Sequence, residues 1–257
     1  MAASKGTYVY GVVAAVRRPR LTRVPRGLSG AGRVRLLDVE RGLFAVVADV
    51  PLARYGEAAI NRGLANLDWV SRAAMAHEAV VESFIAATAI LPLKLFTIFT
   101  NDDRALVHLR AERTRIASFV KRVANQQEWG VRVVLDRARV AAAQKKRTPA
   151  GVRTGAAYLT HKKVQRDAAV ELTEHARATV AALYDRLAAR SRLAKRRLAS
   201  ELPAQGGPLL LDAAFLVPRA RAASFRALAA REARALSTHG YGLTVSGPWP
   251  PYTFVQD

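Results

Sequence analysis

The side chains best suited to proton transfer or metal ligation near neutral pH are the five histidines, His77, His108, His161, His175 and His239. They are scattered along the chain. His77-Glu78 is followed by Glu82, but an offset of five is a poor one-face pair on a helix. A metal site there would need Asp49, Asp68 or another acid to complete it, so a surface or hydrogen-bonded core histidine is the expectation. Asp102-Asp103 could form an acid–base pair of carboxylates. Their place just after Thr100-Asn101, at a helix start, explains them as capping residues. Gly27-Leu28-Ser29-Gly30-Ala31-Gly32 has the glycine content of a phosphate loop. It precedes a strand, so no helix N-terminus faces a phosphate, and a flexible hairpin connection is expected. The patterns G-x-x-x-x-G-K-S/T, G-x-S-x-G, H-E-x-x-H and G-x-G-x-x-G are all missing. With no cysteine, thiol nucleophiles, thiolate metal sites and iron–sulfur clusters are excluded. No catalytic, metal or cofactor site is expected, and no enzyme.

Basic residues are the second candidate. Arg17, Arg18, Arg20, Arg23 and Arg26 crowd one segment, and Lys145, Lys146, Arg147 and Arg153 another. Arg190, Arg192, Lys195, Arg196 and Arg197 crowd the end of an expected long helix. Such clusters would engage phosphates with a strong salt dependence, which keeps a nucleic-acid-binding module open as the alternative function. Against it, the strands carry Val and Leu where an RNA-binding sheet exposes stacking aromatics. Basic residues late in a helix also complement its dipole.

The third candidate is the C-terminal run Gly247-Pro248-Trp249-Pro250-Pro251-Tyr252-Thr253-Phe254. Its prolines fix φ and stiffen an extended segment that carries Trp249, Tyr252 and Phe254. Such a tail either locks onto its own domain or docks into a partner. Trp249, Tyr252, Phe254, Arg192, Lys195 and Arg196 are therefore the candidate partner-binding residues.

Periodicity supplies the elements that must position these groups. Thr7–Val16 reads as a strand, and Val34–Val39 with Leu43–Val50 as a hairpin in which Gly42 takes positive φ. From about Ala53 to Ala87, apolar residues recur at three- to four-residue steps, giving one long or two broken helices. Ile90–Phe99 reads as a strand with Pro92 near its start, and a helix follows to about Gln127. Trp129–Leu135 reads as a strand, and residues 156–200 as a long helical stripe through Leu187, Ala194 and Leu198. A stripe that narrow suggests an antiparallel helical hairpin. Leu209–Val217 is then a strand, Arg219–Leu236 a helix and Tyr241–Val245 a strand. The fold class is α+β with two domains, 1–127 and 128–257. Each is a small, mostly antiparallel sheet with helices, a ferredoxin-like variant, and the second carries the long helical hairpin and the Pro/aromatic tail.

The chain has 257 residues, 51% of them hydrophobic, enough to bury a core and to exclude a disordered basic tail protein. Lys and Arg number 41 against 20 Asp and Glu, a formal charge of +21, and only eight of the 41 are lysine. Together with abundant alanine this points to a compositional bias toward Arg and Ala. Either a solvated basic surface or an acidic partner fits it. No signal peptide is apparent in MAASKGTYVYGVV. No run reaches the roughly 18 uncharged apolar residues of a membrane span. A cytoplasmic protein with no membrane contact is expected.

Three segments together resemble the gas-vesicle GvpL/GvpF family. Tyr8-Val9-Tyr10-Gly11-Val12-Val13 is similar to its first strand. His77-Glu78-Ala79-Val80-Val81-Glu82, followed by Ile90-Leu91-Pro92-Leu93-Lys94-Leu95-Phe96-Thr97-Ile98-Phe99, resembles its central helix and Leu-Pro strand. Gly240-Tyr241 with the Gly247–Val255 run resembles its C-terminal motif, the most specific of the three. The family commonly reads Arg-Phe-Gly where this chain has Lys94-Leu95-Phe96, a departure that bears on local backbone geometry. The resemblance implies a non-enzymatic, two-domain accessory or minor structural protein of gas vesicles, the hollow protein shells that give microbes buoyancy. It implies location at the gas vesicle or in the cytoplasm. It also implies, as partners, the small, very hydrophobic shell protein and other accessory proteins during assembly.

Overall fold

A computed structural model of the chain describes residues 4–136, 176–197 and 208–255. Its contacts divide the chain into two units, Met1–Glu128 with Pro248–Asp257, and Trp129–Gly247.

The first unit is built on β1 (Lys5–Ala14), which is buried along nearly its whole length. A strand buried on both faces reads as a continuous Val/Tyr run, and Tyr8, Val9, Tyr10, Val12 and Val13 are all fully buried. β2 (Arg35–Glu40) and β3 (Leu43–Pro51) form the expected hairpin, with Gly42 at φ 79 between them. β3 also lies antiparallel to β1. The apolar stretch after β3 forms three helices: α1 (Leu52–Tyr55), α2 (Glu57–Gly63) and α3 (Leu67–Glu82). The Asn66 side chain caps α3 by accepting from the Trp69 N–H at 3.0 Å.

The strand expected over Ile90–Phe99 is interrupted. β4 (Ala89–Pro92) pairs with Gly11–Ala14 of β1, and β5 (Ile98–Phe99) pairs with Thr7–Tyr8 on the same edge. Six steps from Pro92 to Ile98 oppose only three from Gly11 to Tyr8, so the edge bows out between them. Phe96 sits on that excursion in the left-handed region at φ 64. The backbone there takes the conformation that glycine allows, with a phenylalanine in it. The sheet order is β2-β3-β1-β4, with β5 also on β1. The helix expected from Asp102 to about Gln127 is two, α4 (Asp102–Ala111) and α5 (Arg113–Val123), broken at Glu112.

The second unit contains α6 (described over 176–188), β7 (Leu193–Arg196), β8 (Leu209–Pro218), α7 (Ala222–Ser237) and most of β6 (Gln126–Leu135) and β9 (Tyr241–Trp249). A 3₁₀ turn, Arg219–Arg221, leads into α7. The βαββαβ succession with sheet order β7-β8-β6-β9 is the split-βαβ, ferredoxin-like arrangement. Its core joins Trp129, Val131 and Val133 of β6 to Val180, Leu183 and Leu187 of α6 and Phe225 of α7.

One element corrects the sequence expectation. Residues 193–196 were expected at the end of the long helix, but they form β7, antiparallel to β8 from Leu193↔Leu216 to Arg196↔Ala213. The helix ends before Arg190, whose N–H bonds back to the Leu187 carbonyl in a turn. Residues 156–175, the first part of the expected helical hairpin, lie outside the described residues.

Candidate functional site

The tail leaves β9 at Trp249 and closes in a 3₁₀ turn, Tyr252–Phe254. Pro250 and Pro251 are buried, and their carbonyls accept from the N–H groups of Tyr252 (2.7 Å) and Phe254 (3.1 Å). Glu128 fastens the turn. It is only 3% exposed and accepts from the Thr253 N–H (2.9 Å) and hydroxyl (2.6 Å). Arg122 adds a bond to the Phe254 carbonyl at 2.8 Å. A buried carboxylate with two donors on one residue is a strong, directional anchor. The tail was expected with the second domain, but these bonds place its contacts with the first unit.

The three tail aromatics therefore differ in what they present. Phe254 is 1% exposed and belongs to the core. Tyr252 packs against the first unit's core, and its hydroxyl is buried with no hydrogen bond among the described residues. Burial pushes that hydroxyl's pKa up, and Glu78, Glu82 and Glu128 nearby push it further. Trp249 keeps 37% of its surface exposed.

The basic candidates lie in the second unit, on and just before β7. The Arg192 N–H donates to the Leu216 carbonyl at 2.7 Å, which opens the β7–β8 ladder. Lys195 and Arg196 are exposed, and the Arg196 guanidinium lies over the Tyr184 ring at 4.5 Å. β7 pairs only with β8 among the described residues, so it is an edge strand. Lysine on an edge discourages indiscriminate strand addition. Leu193 is also exposed, and Asp212 fixes Arg197 (2.9 Å) and Arg132 (3.0 Å) next to this edge. Sequence reasoning missed Leu193, Tyr184 and Asp212. Only a strand assignment for 193–196 would have revealed them.

His77 and Asp102 serve the fold. His77 is 5% exposed, and its Nδ1 lies 2.7 Å from the Tyr8 hydroxyl. Burial lowers its pKa from 6.5 to about 4, against a smaller opposing effect of a hydrogen bond with the Leu93 backbone. Neutral His77 thus accepts from Tyr8, which accepts in turn from the Phe96 N–H at 3.3 Å. Asp102 binds Arg35 (2.7 and 2.8 Å) and the Thr7 hydroxyl (2.7 Å), bonds that hold its carboxyl below the usual range. Helix α4 is capped by Asn101, which accepts from the Arg104 N–H at 2.9 Å. Among the described residues, no three His, Asp or Glu side chains cluster as a metal site would require. His161 and His175 lie outside them.

The glycine-rich segment is held, where a flexible connection was expected. Leu28 is 2% exposed, and its N–H donates to the Tyr10 hydroxyl at 3.1 Å. Tyr55 donates to the Ser29 carbonyl (2.8 Å), and the Gly32 N–H to that of Asp49 (2.8 Å). Gly27 has φ 74, and a Cβ there would lie 2.1 Å from the Tyr10 hydroxyl.

Residues 6–256 match the family described as "Gas vesicle synthesis protein GvpL/GvpF". "Gas vesicle protein L" of Streptomyces sp. (strain CB03234) is 31% identical over 260 residues, covering 99% of this chain and 94% of that protein. "Gas vesicle protein F" of the same strain is 27% identical, covering 97% and 99%. Among solved structures, GvpF from Anabaena sp. PCC7120 superposes with a TM-score of 0.68 at 17% identity, covering 99% of this chain and 97% of that one. GvpF from Microcystis aeruginosa gives 0.64, also at 17%, covering 98% and 99%. At that identity the structural likeness concerns the fold.

Proposed function

Because the chain belongs to the gas vesicle synthesis protein GvpL/GvpF family, we propose that it is an accessory protein needed for gas vesicle assembly. In this reading it binds the hydrophobic shell protein and other accessory proteins, at the gas vesicle or in the cytoplasm. The accessory role in gas vesicles follows from the family itself. The observation that carries the finer reading is the tail. Tyr252, Thr253 and Phe254 are tied down, so Trp249 is offered to a partner on a fixed base. A partly exposed tryptophan on a rigid segment is the side chain most often dominant in protein binding. The exposed edge of β7, with Arg192, Lys195 and Arg196, is the second proposed contact.

The test is a pull-down of the other gas vesicle proteins with the whole chain, repeated with Trp249→Ala and with Arg192, Lys195 and Arg196 all changed to Ala. Loss of a partner in either variant supports the reading. Normal vesicles from a gene cluster lacking this gene would overturn it. The alternative, a nucleic-acid-binding module, predicts nucleic acid in place of gas vesicle proteins in the same pull-down.

A further inference from the structure

Residues 15–34, between β1 and β2, carry six arginines and no acidic or aromatic residue. The fold uses Arg18, which pairs with Asp38, donates to the Leu36 carbonyl at 2.8 Å and lies over the Phe44 ring. The other five, Arg17, Arg20, Arg23, Arg26 and Arg33, are exposed and form no ion pair among the described residues. Like charges crowded on one segment repel each other, and an anionic partner relieves that repulsion.

Packing sets how the arginines are displayed. Leu21 and Val24 turn in against the first unit's core, and Gly27 follows them in at the same three-residue step. Arg20, Arg23 and Arg26, one position before each, are left outside as a row. The backbone of the segment is already engaged. The Val24 N–H donates to the Leu21 carbonyl (3.4 Å) and the Ala31 N–H to that of Leu28 (3.0 Å). The Leu28 and Gly32 N–H groups donate to the Tyr10 hydroxyl and the Asp49 carbonyl. These are amides with which a glycine-rich loop would cradle a phosphate, so an anion here meets guanidinium groups instead.

Two features select a protein as the source of that anion. Bases of a single strand stack on aromatic side chains, and residues 15–34 have none. Val16, next to Arg17, is 95% exposed. A phosphate backbone offers nothing to cover it, whereas a protein segment brings apolar side chains along with carboxylates. Carboxylates also match the two-pronged geometry of guanidinium groups.

We propose that the 15–34 loop binds an acidic segment of a partner protein, with carboxylates on Arg17, Arg20, Arg23 and Arg26 and an apolar side chain over Val16. The proposal rests on the reading of the chain as a protein-binding accessory factor and assigns it a further contact, separate from Trp249 and the β7 edge.

The test titrates the full-length protein with a fluorescein-labelled peptide repeating Glu-Glu-Leu and with the same peptide carrying Gln for each Glu. The acidic peptide is expected to bind, and the Gln peptide about tenfold more weakly or worse. Arg20→Glu with Arg23→Glu should weaken binding of the acidic peptide by at least about tenfold. Arg221→Glu with Arg234→Glu, which removes the same net charge from exposed positions in the second unit, should leave it within about threefold. Val16→Ser should weaken it about threefold with no change in charge. Equal losses from the two arginine pairs would overturn the proposal, as would equal binding of the Gln and acidic peptides. Displacement of the peptide by inorganic phosphate at matched ionic strength would overturn it in favour of a small anion. Loss of a labelled DNA duplex, but not of the peptide, on reversal of Arg20 and Arg23 would overturn it in favour of nucleic acid. Trp249→Ala should leave peptide binding unchanged, so failure of the loop and failure of the tail contact are separately visible.

Discussion

Phe96 holds a backbone conformation that a bulky residue avoids, at a cost of about 1–2 kcal/mol. Its ring stacks on Trp69 at 5.0 Å and 17°, and Trp69 stacks in turn on Tyr55 at 6.1 Å. Stacking of this kind is worth about 0.5–1.5 kcal/mol beyond burial, enough to offset the strain. Both Phe96→Gly and Phe96→Ala lose the ring, but only glycine relieves the backbone. Phe96→Gly is therefore expected to be the more stable of the two by about 1 kcal/mol in urea unfolding, the reverse of the usual Ala-over-Gly order. His77 gives a pH prediction. Its pKa is about 4 in the folded protein against 6.5 ordinarily, so below pH 6.5 the unfolded chain binds a proton that the native one refuses. Its contribution is intact above pH 6.5, falls as the pH drops toward 4 and levels off below that, losing roughly 3 kcal/mol in all. His77→Gln should flatten that part of the stability–pH curve measured by urea unfolding. The role of His77 was half legible in the sequence. A hydrogen-bonded core histidine was foreseeable, but its Tyr8 partner lies 69 positions away on another element. The left-handed turn at Phe96 was signalled only by the glycine that the resembled family carries there, while its cause, the three-residue excess between β4 and β5, lies in the strand pairing.

Element by element, the strands with unbroken β-branched runs were readable, because burial on both faces of β1 and β3 leaves a continuous apolar string. β7 was not. Leu193-Ala194-Lys195-Arg196 is made of good helix formers, and only pairing with β8 makes it a strand. The tail's attachment was hidden for a similar reason. Glu128 stands 125 positions before Thr253, and nothing near either residue announces the other. Glu128→Ala leaves the Thr253 N–H and hydroxyl without their acceptor, at a cost of about 2–3 kcal/mol. The tail should then be clipped by a non-specific protease before the rest of the chain unfolds, whereas the parent resists. Clipping at equal rates in both would show that the tail is held by its apolar contacts alone.

For the whole molecule, the formal charge of +21 predicts retention on an anionic resin, with affinity falling log-linearly as salt rises. Some of the acids already subtracted in that figure are held in ion pairs within the fold. Arg18 pairs with Asp38, Arg35 with Asp49 and Asp102, Arg132 and Arg197 with Asp212, and Arg186 with Glu232. A duplex meets only one face of the protein at a time, so the salt slope should fall well short of one contact per excess charge. Elution of a duplex DNA or heparin complex over a salt series measures it, and a slope approaching the full excess would favour the nucleic-acid reading.

The loop that carries Arg17, Arg18, Arg20, Arg23 and Arg26 is fastened at Leu28, Ser29 and Gly32. Its arginines ride on a segment whose conformational freedom was surrendered when the chain folded. A partner meeting them restricts mainly its own motions, so the entropic cost of association is smaller and slow dissociation is easier to reach. Gly27→Ala, which drives a methyl into the Tyr10 hydroxyl, would unhook the loop and return that freedom to it. An acidic ligand of this loop would then leave faster, although no charge had changed.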